Sequence, residues 1–467
     1  MRRETDFLGS VELPDDYAFG IHTRRAEANF AFSARRLRPD LFAALIQVKQ
    51  AAAEANADAG LLKAELAEAI VDAGDEVLAD TEAWLPAVHP LQGGAGTSTN
   101  MAANELLANL ALRKLGHGFG AYEVISPLRH VNLSQSTNDA YPTAVRIAVI
   151  RGLRRLHDAV EELQKRLQEK EREFAGFLKV GRTELQDAMP LSLGQEFSAW
   201  AEAMTRFRWR LNKAMDWVRE VNISGTAVGT GINADHRYRA AVVERLRRRV
   251  EEPLTLSRNL VDATQNADQL VEVSGLVRTG AVSVRKLASD LRLLSSGPMC
   301  GLGEIRLPEL QEGSSIMPGK VNPVMAEAAE QVCLAVMGGD GVIAAAAAAA
   351  NLELCQFLPL IAHTLLENLE LFGGMAARLA DTVAGIQART EQLRRNVENS
   401  FAVATLLAPT IGHEIMSELV REARERGRSV VQLVRERELI TPAQLERLLT
   451  PGIMASPGLP LLEDDLS

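Results

Sequence analysis

Four short stretches of the sequence are dense in hydroxyl, amide and glycine residues. They are GGAGTSTNM at 93–101, SQSTNDAYPTA at 134–144, GRTELQDAMP at 181–190 and GSSIMPGKVNP at 313–323. Any one of them alone is compatible with a loop beside a helix that it caps, because Ser, Thr, Asn and Gly favour caps and turns. Together they predict a polar pocket. Hydroxyls and amides hold a carboxylate by neutral hydrogen bonds, and Lys320 supplies one positive charge.

The elements that must position these stretches have the pattern of long helices. From Val145 to Leu167 apolar residues recur every three or four positions with Arg, Lys and Glu between them, which predicts an amphipathic helix of about thirty residues. Pro142 lies just before this pattern, near the expected helix start. The other ranges with helical character are 193–218, 267–295 and 324–380. Strand-like alternation is scarce, so the sequence predicts a mainly all-α fold with a long central helix bundle.

Three domains are predicted along the chain. They are a mixed helical N-terminal domain at 1–138, the central long-helix bundle at 139–389 and a small helical C-terminal domain at 390–467. The C-terminal part has shorter helical patterns, broken by Gly-Arg-Ser at 427–429 and by Thr441 and Pro442, which form a helix-start signal.

Composition and charge narrow the class of protein. The chain has 467 residues, 47% of them hydrophobic, and a net charge of −10, which disfavours general nucleic-acid binding. No signal peptide is visible, and the longest apolar run, near 342–350, is too short to span a bilayer. We therefore expect a cytoplasmic protein without a membrane partner. The three cysteines, expected to be small buried side chains, and the eight histidines show no metal-ligand spacing, so no metal site is predicted.

The four stretches, in this order, resemble the active-site regions of the aspartase/fumarase superfamily. GSSIMPGKVNP resembles its signature segment, and NSFAVATLLAPTIGHE at 399–414 and GRSVVQLVRERELIT at 427–441 resemble its C-terminal domain. GGAGTSTNM, SQSTNDAYPTA and GTAVGTGIN at 225–233 are more similar to the aspartate ammonia-lyase branch than to fumarases. The resemblance implies the three-domain fold of the superfamily. It also implies a homotetramer around a twenty-helix core, with each active site built from three subunits.

The resemblance also implies a reaction, the removal of ammonia from L-aspartate to give fumarate. Taking the C3 proton creates a doubly charged enediolate, so the barrier is mostly electrostatic. Ser314, on a loop that closes over the substrate, is implied as the general base, with Lys320 helping to stabilise its alkoxide. The implied contacts are Thr97, Ser136, Thr137 and Ser315 with the β-carboxylate, Lys320 and Asn322 with the α-carboxylate, and Thr97, Asn138 and Thr183 with the amino group. The chemistry requires no redox cofactor or metal.

Several positions depart from the superfamily pattern. Glu184 stands where fumarases carry His and aspartases usually Gln or His, and the residue that partners this position is matched by Glu327. Two carboxylates close together repel unless one is protonated or a cation lies between them. Leu128 and Arg129 replace a usual Asn-Asp pair, and Ala102 replaces a usual asparagine.

These departures leave the substrate open. Glu184 either faces the ammonium group of aspartate or serves a lyase that acts on another amino acid or a quaternary ammonium acid. Fumarate hydratase is a third alternative, disfavoured by Glu184 and by the Ser-Thr-Asn sequence. A catalytically inactive structural member is a fourth, and it is opposed by the intact Ser314, Lys320 and Asn322.

Overall fold

Helices dominate the computed structural model, which describes residues 1–455. In chain order they are α1 (Ile21–Asn29), α2 (Pro39–Asp58), α3 (Ala64–Ala79), α4 (Thr97–Lys114), α5 (Thr137–Glu173), α6 (Leu193–Trp217), α7 (His236–Val250), α8 (Leu260–Gln265), α9 (Asp268–Leu294), α10 (Val324–Ala348), α11 (Leu358–Ala384), α12 (Thr390–Asn399), α13 (Ala402–Ile411), α14 (His413–Arg426), α15 (Val430–Glu436), α16 (Pro442–Leu448) and α17 (Pro451–Met454). A π-helical turn, Pro127–Val131, precedes α5. The mainly all-α prediction is confirmed.

Strands in the described chain form small two-stranded sheets. Three are antiparallel, and β5 pairs with β6 in parallel. The strands are β1 (Arg2–Asp6), β2 (Gly9–Leu13), β3 (Leu178–Thr183), β4 (Gln186–Ser192), β5 (Glu220–Val221), β6 (Thr255–Leu256), β7 (Ile305–Arg306) and β8 (Gln387–Ala388). The pairs are β1 with β2, β3 with β4, β5 with β6, and β7 with β8.

The long helices match the apolar periodicity, with two corrections. Helix α5 begins at Thr137, so Pro142 lies inside it rather than before it. Pro142 is the sixth residue of the helix, so it has no N–H to donate to the carbonyl oxygen of Asn138. The side-chain amide of Asn222 donates to that oxygen instead, at 2.9 Å. The predicted range 324–380 is two helices, α10 and α11, because Pro359 in the first turn of α11 cannot continue a helix from upstream.

The chain divides into two compact units, each assembled from separate segments. The first unit comprises Met1–His157, Trp209–Thr279 and Ala335–Phe372, and the second comprises Asp158–Arg208, Gly280–Leu334 and the chain from Gly373 onward. The five longest helices, α5, α6, α9, α10 and α11, each contribute residues to both units. This partition does not test the three sequential domains, which stay a prediction; residues 456–467 of the last domain lie outside the described residues.

In the first unit the core includes α2 and α4, whose side chains are buried around most of their circumference. In α4 every residue from Thr99 to Leu112 is buried, including Asn100, Asn104 and Glu105. A helix that is buried all round carries no amphipathic stripe, and this explains why no periodicity marked it in the sequence.

In the second unit the short C-terminal helices share a core with strand β3. Val180 of β3 packs with Leu407 of α13, Leu419 of α14 and Val434 of α15. The predicted breaks are confirmed, because Ser429 and Thr441 each begin a helix with a capping box. Cys333 and Cys355 are buried as expected, but Cys300 is exposed, in the loop between α9 and β7, so that expectation was wrong for Cys300.

Candidate active site

Thr97 is the first residue of α4, in the first unit. The preceding Gly96 has a φ of 100°, and a Cβ there would lie 2.6 Å from the ring of Tyr141, so only glycine fits. Thr97 Oγ1 donates a hydrogen bond of 2.7 Å to the carbonyl oxygen of Gly94. The N–H groups of Thr97 and Thr99 already donate, to Gly94 O at 3.0 Å and to Gln92 Oε1 at 2.9 Å. The Thr97 side chain itself is exposed at this helix N-terminus.

Ser136, Thr137 and Asn138 lie at the N-terminal end of α5. The Ser136 hydroxyl accepts a hydrogen bond from the backbone N–H of Asn138 at 3.2 Å, and the Asn138 amide donates to the carbonyl oxygen of Ala227 at 2.8 Å. The hydroxyl of Thr137 accepts from the amide of Asn100 on α4 at 3.1 Å. The start of α5 is thus tied to α4, and the two predicted hydroxyl stretches of the first unit are brought together.

A cavity of about 290 Å³ adjoins this segment. It is lined by Ser134–Ser136 and by residues of the stretch 226–233, Thr226, Ala227, Val228, Thr230, Ile232 and Asn233. The GTAVGTGIN sequence therefore faces the SQSTNDA sequence within one unit, as two parts of one polar surface. Thr97 lines a different cavity, of about 400 Å³, together with residues of β1 and α1.

Beneath this segment lies Lys49, a residue that sequence reasoning missed. Its side chain is fully buried in α2, and its ammonium group donates to the amide oxygens of Asn132 at 2.9 Å and Gln135 at 3.0 Å. Burial lowers the pKa of Lys49 to about 7, against the opposing attraction of Asp139. The signal in the sequence was a single charge inside the apolar helical run ALIQVKQAAA, which predicts a buried ion but not its partners.

Asp139 holds the backbone of the same segment. One carboxylate oxygen accepts from the N–H of Ser136 and the other from the N–H of Thr226, both at 2.9 Å. Burial raises the pKa of Asp139 to about 6, and these hydrogen bonds and Lys49 oppose the rise. Lys49 and Asp139 are thus two buried groups of opposite charge that attract each other without direct contact, and their separate hydrogen bonds order the residues around Ser136.

In the second unit, the loop with the signature sequence is closed at its neck. The N–H of Gly313 donates to the carbonyl oxygen of Lys320 at 2.9 Å, and the amide of Asn322 donates to the carbonyl oxygen of Gly313 at 3.0 Å. A Cβ on Gly313 would lie 2.4 Å from Lys320 O, so glycine permits this approach. Inside the loop, Ser314 Oγ accepts hydrogen bonds from the N–H groups of Ile316 at 3.1 Å and Met317 at 3.0 Å.

A cavity of about 850 Å³ opens beside the end of this loop. Its lining includes Lys320, Asn322 and Glu327, together with Arg292 and Arg306. The two arginines already pair with carboxylates, Glu330 and Glu309 respectively, whereas no partner of the Lys320 ammonium is found among the described residues. Lys320 is therefore available to an anionic ligand, as is Arg389, which lines the same cavity and donates to the carbonyl oxygen of Pro298. The assignment of Lys320 to the substrate stays a prediction.

Ser314 and Ser315 do not line that cavity; they lie on the loop itself, with Ser314 half-buried and Ser315 exposed. Glu184 does not line it either, so the pairing of Glu184 with Glu327 stays a prediction. Ala102, one of the departures, is fully buried in α4.

Thr183 and Glu184 lie on the hairpin of β3 and β4, rather than in a loop beside a helix as the sequence suggested. Thr183 pairs with Gln186, so Glu184 and Leu185 form a two-residue turn. Both turn residues have positive φ, 54° and 64°, which a type I′ turn demands and which side chains other than Gly, Asn and Asp adopt at a cost. The turn leaves the Glu184 carboxylate exposed at the tip of the hairpin.

Comparison with known proteins identifies the family of the chain. The family described as "Lyase" matches residues 9–338, and the family described as "Fumarase C C-terminus" matches residues 403–456. An aspartate ammonia-lyase of a Bacillus species is 43% identical over 460 residues, which are 98% of each chain.

Two solved structures are also similar. A Brucella melitensis fumarate lyase:delta crystallin, bound to cobalt, has a TM-score of 0.94 at 43% identity and covers 98% of this chain and 100% of its own. A class II fumarase of Schistosoma mansoni has a TM-score of 0.88 at 31% identity and covers 97% of this chain and 99% of its own. The chain therefore belongs to the aspartase/fumarase superfamily and is one of its carbon–nitrogen lyases.

Proposed function

We propose that this protein removes ammonia from L-aspartate to give fumarate, with Ser314 as the general base. The observation that carries the proposal is the geometry of the Ser314 hydroxyl. Its oxygen accepts two backbone hydrogen bonds, from Ile316 and Met317, within a loop closed at its neck. A serine is a poor base unless its alkoxide is stabilised, and donors already aimed at the oxygen stabilise the charge without reorganisation.

The proposed reaction is an anti-elimination. Ser314 Oγ takes the proton from C3, and the electron pair of that C–H bond passes through an enediolate on the β-carboxylate before it forms the C2–C3 double bond. The C2–N bond breaks, and its electron pair leaves with the nitrogen as ammonia. Charge therefore develops on the β-carboxylate, where Thr97, Ser136, Thr137 and Ser315 are proposed to donate hydrogen bonds.

The α-carboxylate is assigned to Lys320 and Asn322. Both line the same cavity, and the Lys320 ammonium has no partner among the described residues. In a site that excludes water, one unpaired cation opposite a carboxylate contributes more than it would in solvent. Asn322 already uses its amide N–H to close the loop, so loop closure and substrate contact are coupled through one side chain.

The amino group is assigned to Thr97, Asn138, Thr183 and Glu184. The exposed carboxylate of Glu184 at the hairpin tip is the observation that favours an ammonium over a hydroxyl as leaving group. The same carboxylate supports a second candidate function, a lyase acting on another amino acid or a quaternary ammonium acid. The fumarate hydratase alternative gains no support from Glu184, because a neutral leaving hydroxyl has no charge to attract.

We propose a homotetramer with each site shared by three subunits. Thr97 and Ser136–Asn138 belong to the first unit, and Thr183, Glu184 and Ser314–Asn322 belong to the second.

Helix α10 supports an assembly, because it is apolar, with mean hydropathy 1.6 in its most apolar window, yet only 28% of that window is buried. It is also long and apolar enough to cross a membrane. Its many alanines allow close approach of helices, and we assign the exposed face to other subunits in a cytoplasmic protein.

A substrate panel tests the proposed function. The purified protein is incubated with L-aspartate, L-malate and a series of amino and quaternary ammonium acids, while fumarate absorbance and released amine are measured. We expect fumarate and ammonia in equal amounts from L-aspartate and little fumarate from L-malate. Inactivity on aspartate with amine release from another acid would support the second candidate. Turnover of malate alone would support a hydratase.

A further inference from the structure

A buried cluster of charges lies at the base of the hairpin that carries Thr183 and Glu184. At its centre is Glu304, which is fully buried just before β7. Arg182 Nη1 of β3 lies 2.8 Å from one oxygen of Glu304, and Lys179 Nζ of the same strand lies 3.2 Å from the other. Lys179 also pairs with Glu196 of α6 at 2.6 Å. Two carboxylates thus balance two cations, and both cations belong to β3.

Glu304 also connects the hairpin to the C-terminal helices. The same oxygen that pairs with Arg182 accepts a hydrogen bond from the amide of Asn396 on α12 at 3.0 Å. The Glu304 backbone is fixed on both sides, since its N–H donates to Leu294 O at 2.8 Å and its carbonyl accepts from the N–H of Arg389 at 2.9 Å. The carboxylate therefore has a defined position relative to α9, α12 and β8, and β3 is attached to it by two ion pairs.

The hairpin itself has an irregular backbone between the cluster and the turn. The pairing register of β3 and β4 shifts between Val180 and Arg182. A Cβ on Gly181 would lie 2.5 Å from the carbonyl oxygen of Met189, so this irregularity requires glycine. Register shifts of this kind redirect side chains beside functional sites. Here the shift lies next to Arg182, whose guanidinium reaches Glu304, and Thr183 is the next residue.

Beyond Thr183 the turn is strained, since Glu184 and Leu185 both have left-handed backbone conformations. Left-handed conformations are unfavourable for ordinary L-residues. Strained residues persist only when their surroundings fix them. The turn residues are exposed, so contacts below the turn must fix them, and the ion pairs of β3 with Glu304 are among these contacts.

We propose that Glu304 is a positioning residue for the lyase reaction, which acts through Arg182 and Lys179 to hold Thr183 and Glu184 in place. It does not touch the substrate. The proposal rests on the proposed function for the roles of Thr183 and Glu184. It predicts that loss of the Glu304 charge loosens the hairpin and impairs only those steps that depend on the amino-group contacts.

The test is a double-mutant cycle between Glu304→Gln and Thr183→Val, with kcat/KM as readout. Misplacement of a contact by about 1 Å costs up to ~10²-fold, so Glu304→Gln alone should lower kcat/KM by about 10- to 100-fold. In the Thr183→Val background the same change should cost less than about 3-fold, because effects that act through one contact are not additive. Additive losses would overturn the proposal.

Asp340→Asn is the matched control. Asp340 is a buried carboxylate in the first unit that accepts from Ser274 Oγ and pairs with Arg278, and it has no part in the proposed site. It should lower thermal stability without a comparable loss of kcat/KM. If Glu304→Gln costs no more activity than Asp340→Asn, the proposal is wrong. If Glu304→Gln does not fold, Arg182→Gln takes its place in the cycle, with the same expected results.

Hydrogen exchange separates failure of this inference from failure of the proposed function. Backbone amides of 181–190 should exchange faster in Glu304→Gln than in the wild type, whatever the substrate, and unchanged exchange would overturn the inference. If the wild type does not deaminate aspartate, the proposed substrate is wrong, and the cycle is run with the acid that the panel identifies.

Discussion

The backbone N–H of Met317 points at the Oγ of Ser314 across 3.0 Å, so the residue proposed as base lies at the entry of a tight turn of its own loop. The N–H of Ile316 adds a second donor at 3.1 Å. Both N–H groups contact the serine oxygen without a bound substrate. The groups that would stabilise a serine alkoxide therefore come from residues two and three positions further along the same loop. The hydrogen bond between Gly313 and Lys320 closes the neck of the loop. It thereby fixes the position of these two donors relative to Lys320, the only lysine of the signature.

The first prediction concerns that neck. Gly313→Ala would place a Cβ 2.4 Å from the carbonyl oxygen of Lys320, so the neck must open. We expect kcat/KM to fall by at least about 10-fold, because misplacement of the base and of Lys320 is costly. The matched control is Gly374→Ala, in the middle of α11, where no atom lies within 4 Å of an added Cβ. It should leave the rate unchanged. Equal rates for the two variants would show that the neck has no role.

A second prediction concerns the leaving group. Glu184→Gln should retain aspartate deamination, weakened several-fold, because glutamine at this position preserves hydrogen bonding to the amino group but removes the attraction to its charge. The ratio of kcat/KM for aspartate to kcat/KM for malate should become smaller than in the wild type. The measurement is kcat/KM for both substrates in both proteins. Complete loss of amine release in Glu184→Gln, with a wild type that barely uses aspartate, would favour a quaternary ammonium substrate.

The assembly gives a third prediction. Ser314→Ala and Thr183→Val, each of which should keep only a small but measurable rate alone, should regain activity when they are unfolded and refolded together. A mixed tetramer would contain some sites in which both residues are intact, if each site takes them from different subunits. Native mass spectrometry verifies mixing. Verified mixed tetramers without any rescue would mean that both residues come from one subunit.

Lys49 provides a prediction about pH. Its pKa is lowered from 10.5 to about 7 in the folded protein, so between these values the unfolded chain binds more protons than the folded one. Stability therefore rises with pH across this window, and the penalty for burying the ammonium is fully present below pH 7. Relative to Lys49→Met, the wild type should gain melting temperature between pH 7 and pH 9.5.

The control for this pH series is Lys63→Met, because Lys63 is exposed. Its melting-temperature difference from the wild type should stay constant across the series. A constant difference for Lys49→Met as well would show that Lys49 is charged in the folded protein throughout, and the assigned environment would be wrong.

Helices and strands could be predicted from the sequence where apolar side chains recur at a regular spacing, and they were missed where no such spacing exists. The apolar stripe of α5 is visible because one of its faces is polar. The predicted stripe, Val145 to Leu167, begins eight residues after the helix start and ends six residues before the helix end. Helix α4 is buried on all sides, so its composition shows no stripe, although its first residue, Thr97, was identified by chemistry. The β3–β4 hairpin was missed because its turn, Glu184-Leu185, lacks the Asn-Gly type of signal.

The candidate site also has a part that could be predicted from the sequence and a part that could not. Residues within the four stretches could be named because their types match a chemistry and a superfamily pattern. The residues that hold those stretches could not be named, because Lys49, Asp139 and Glu304 are single charges in unremarkable surroundings. Their roles depend on partners that are 83 to 125 residues away in the sequence. Only the folded chain shows Lys49 beneath Gln135 and Glu304 beneath Arg182.

The rate of Ser314→Ala on L-aspartate tests the central claim most directly. The control is Ser417→Ala, which removes an exposed hydroxyl that donates to the carbonyl oxygen of His413 on α14. Because a general base contributes about 10²–10⁴-fold, kcat of Ser314→Ala should fall by that factor, with melting temperature and oligomeric state unchanged and Ser417→Ala fully active. If Ser314→Ala keeps more than about a tenth of the wild-type rate, below the effect of any general base, Ser314 is not the base and the account of the loop is wrong.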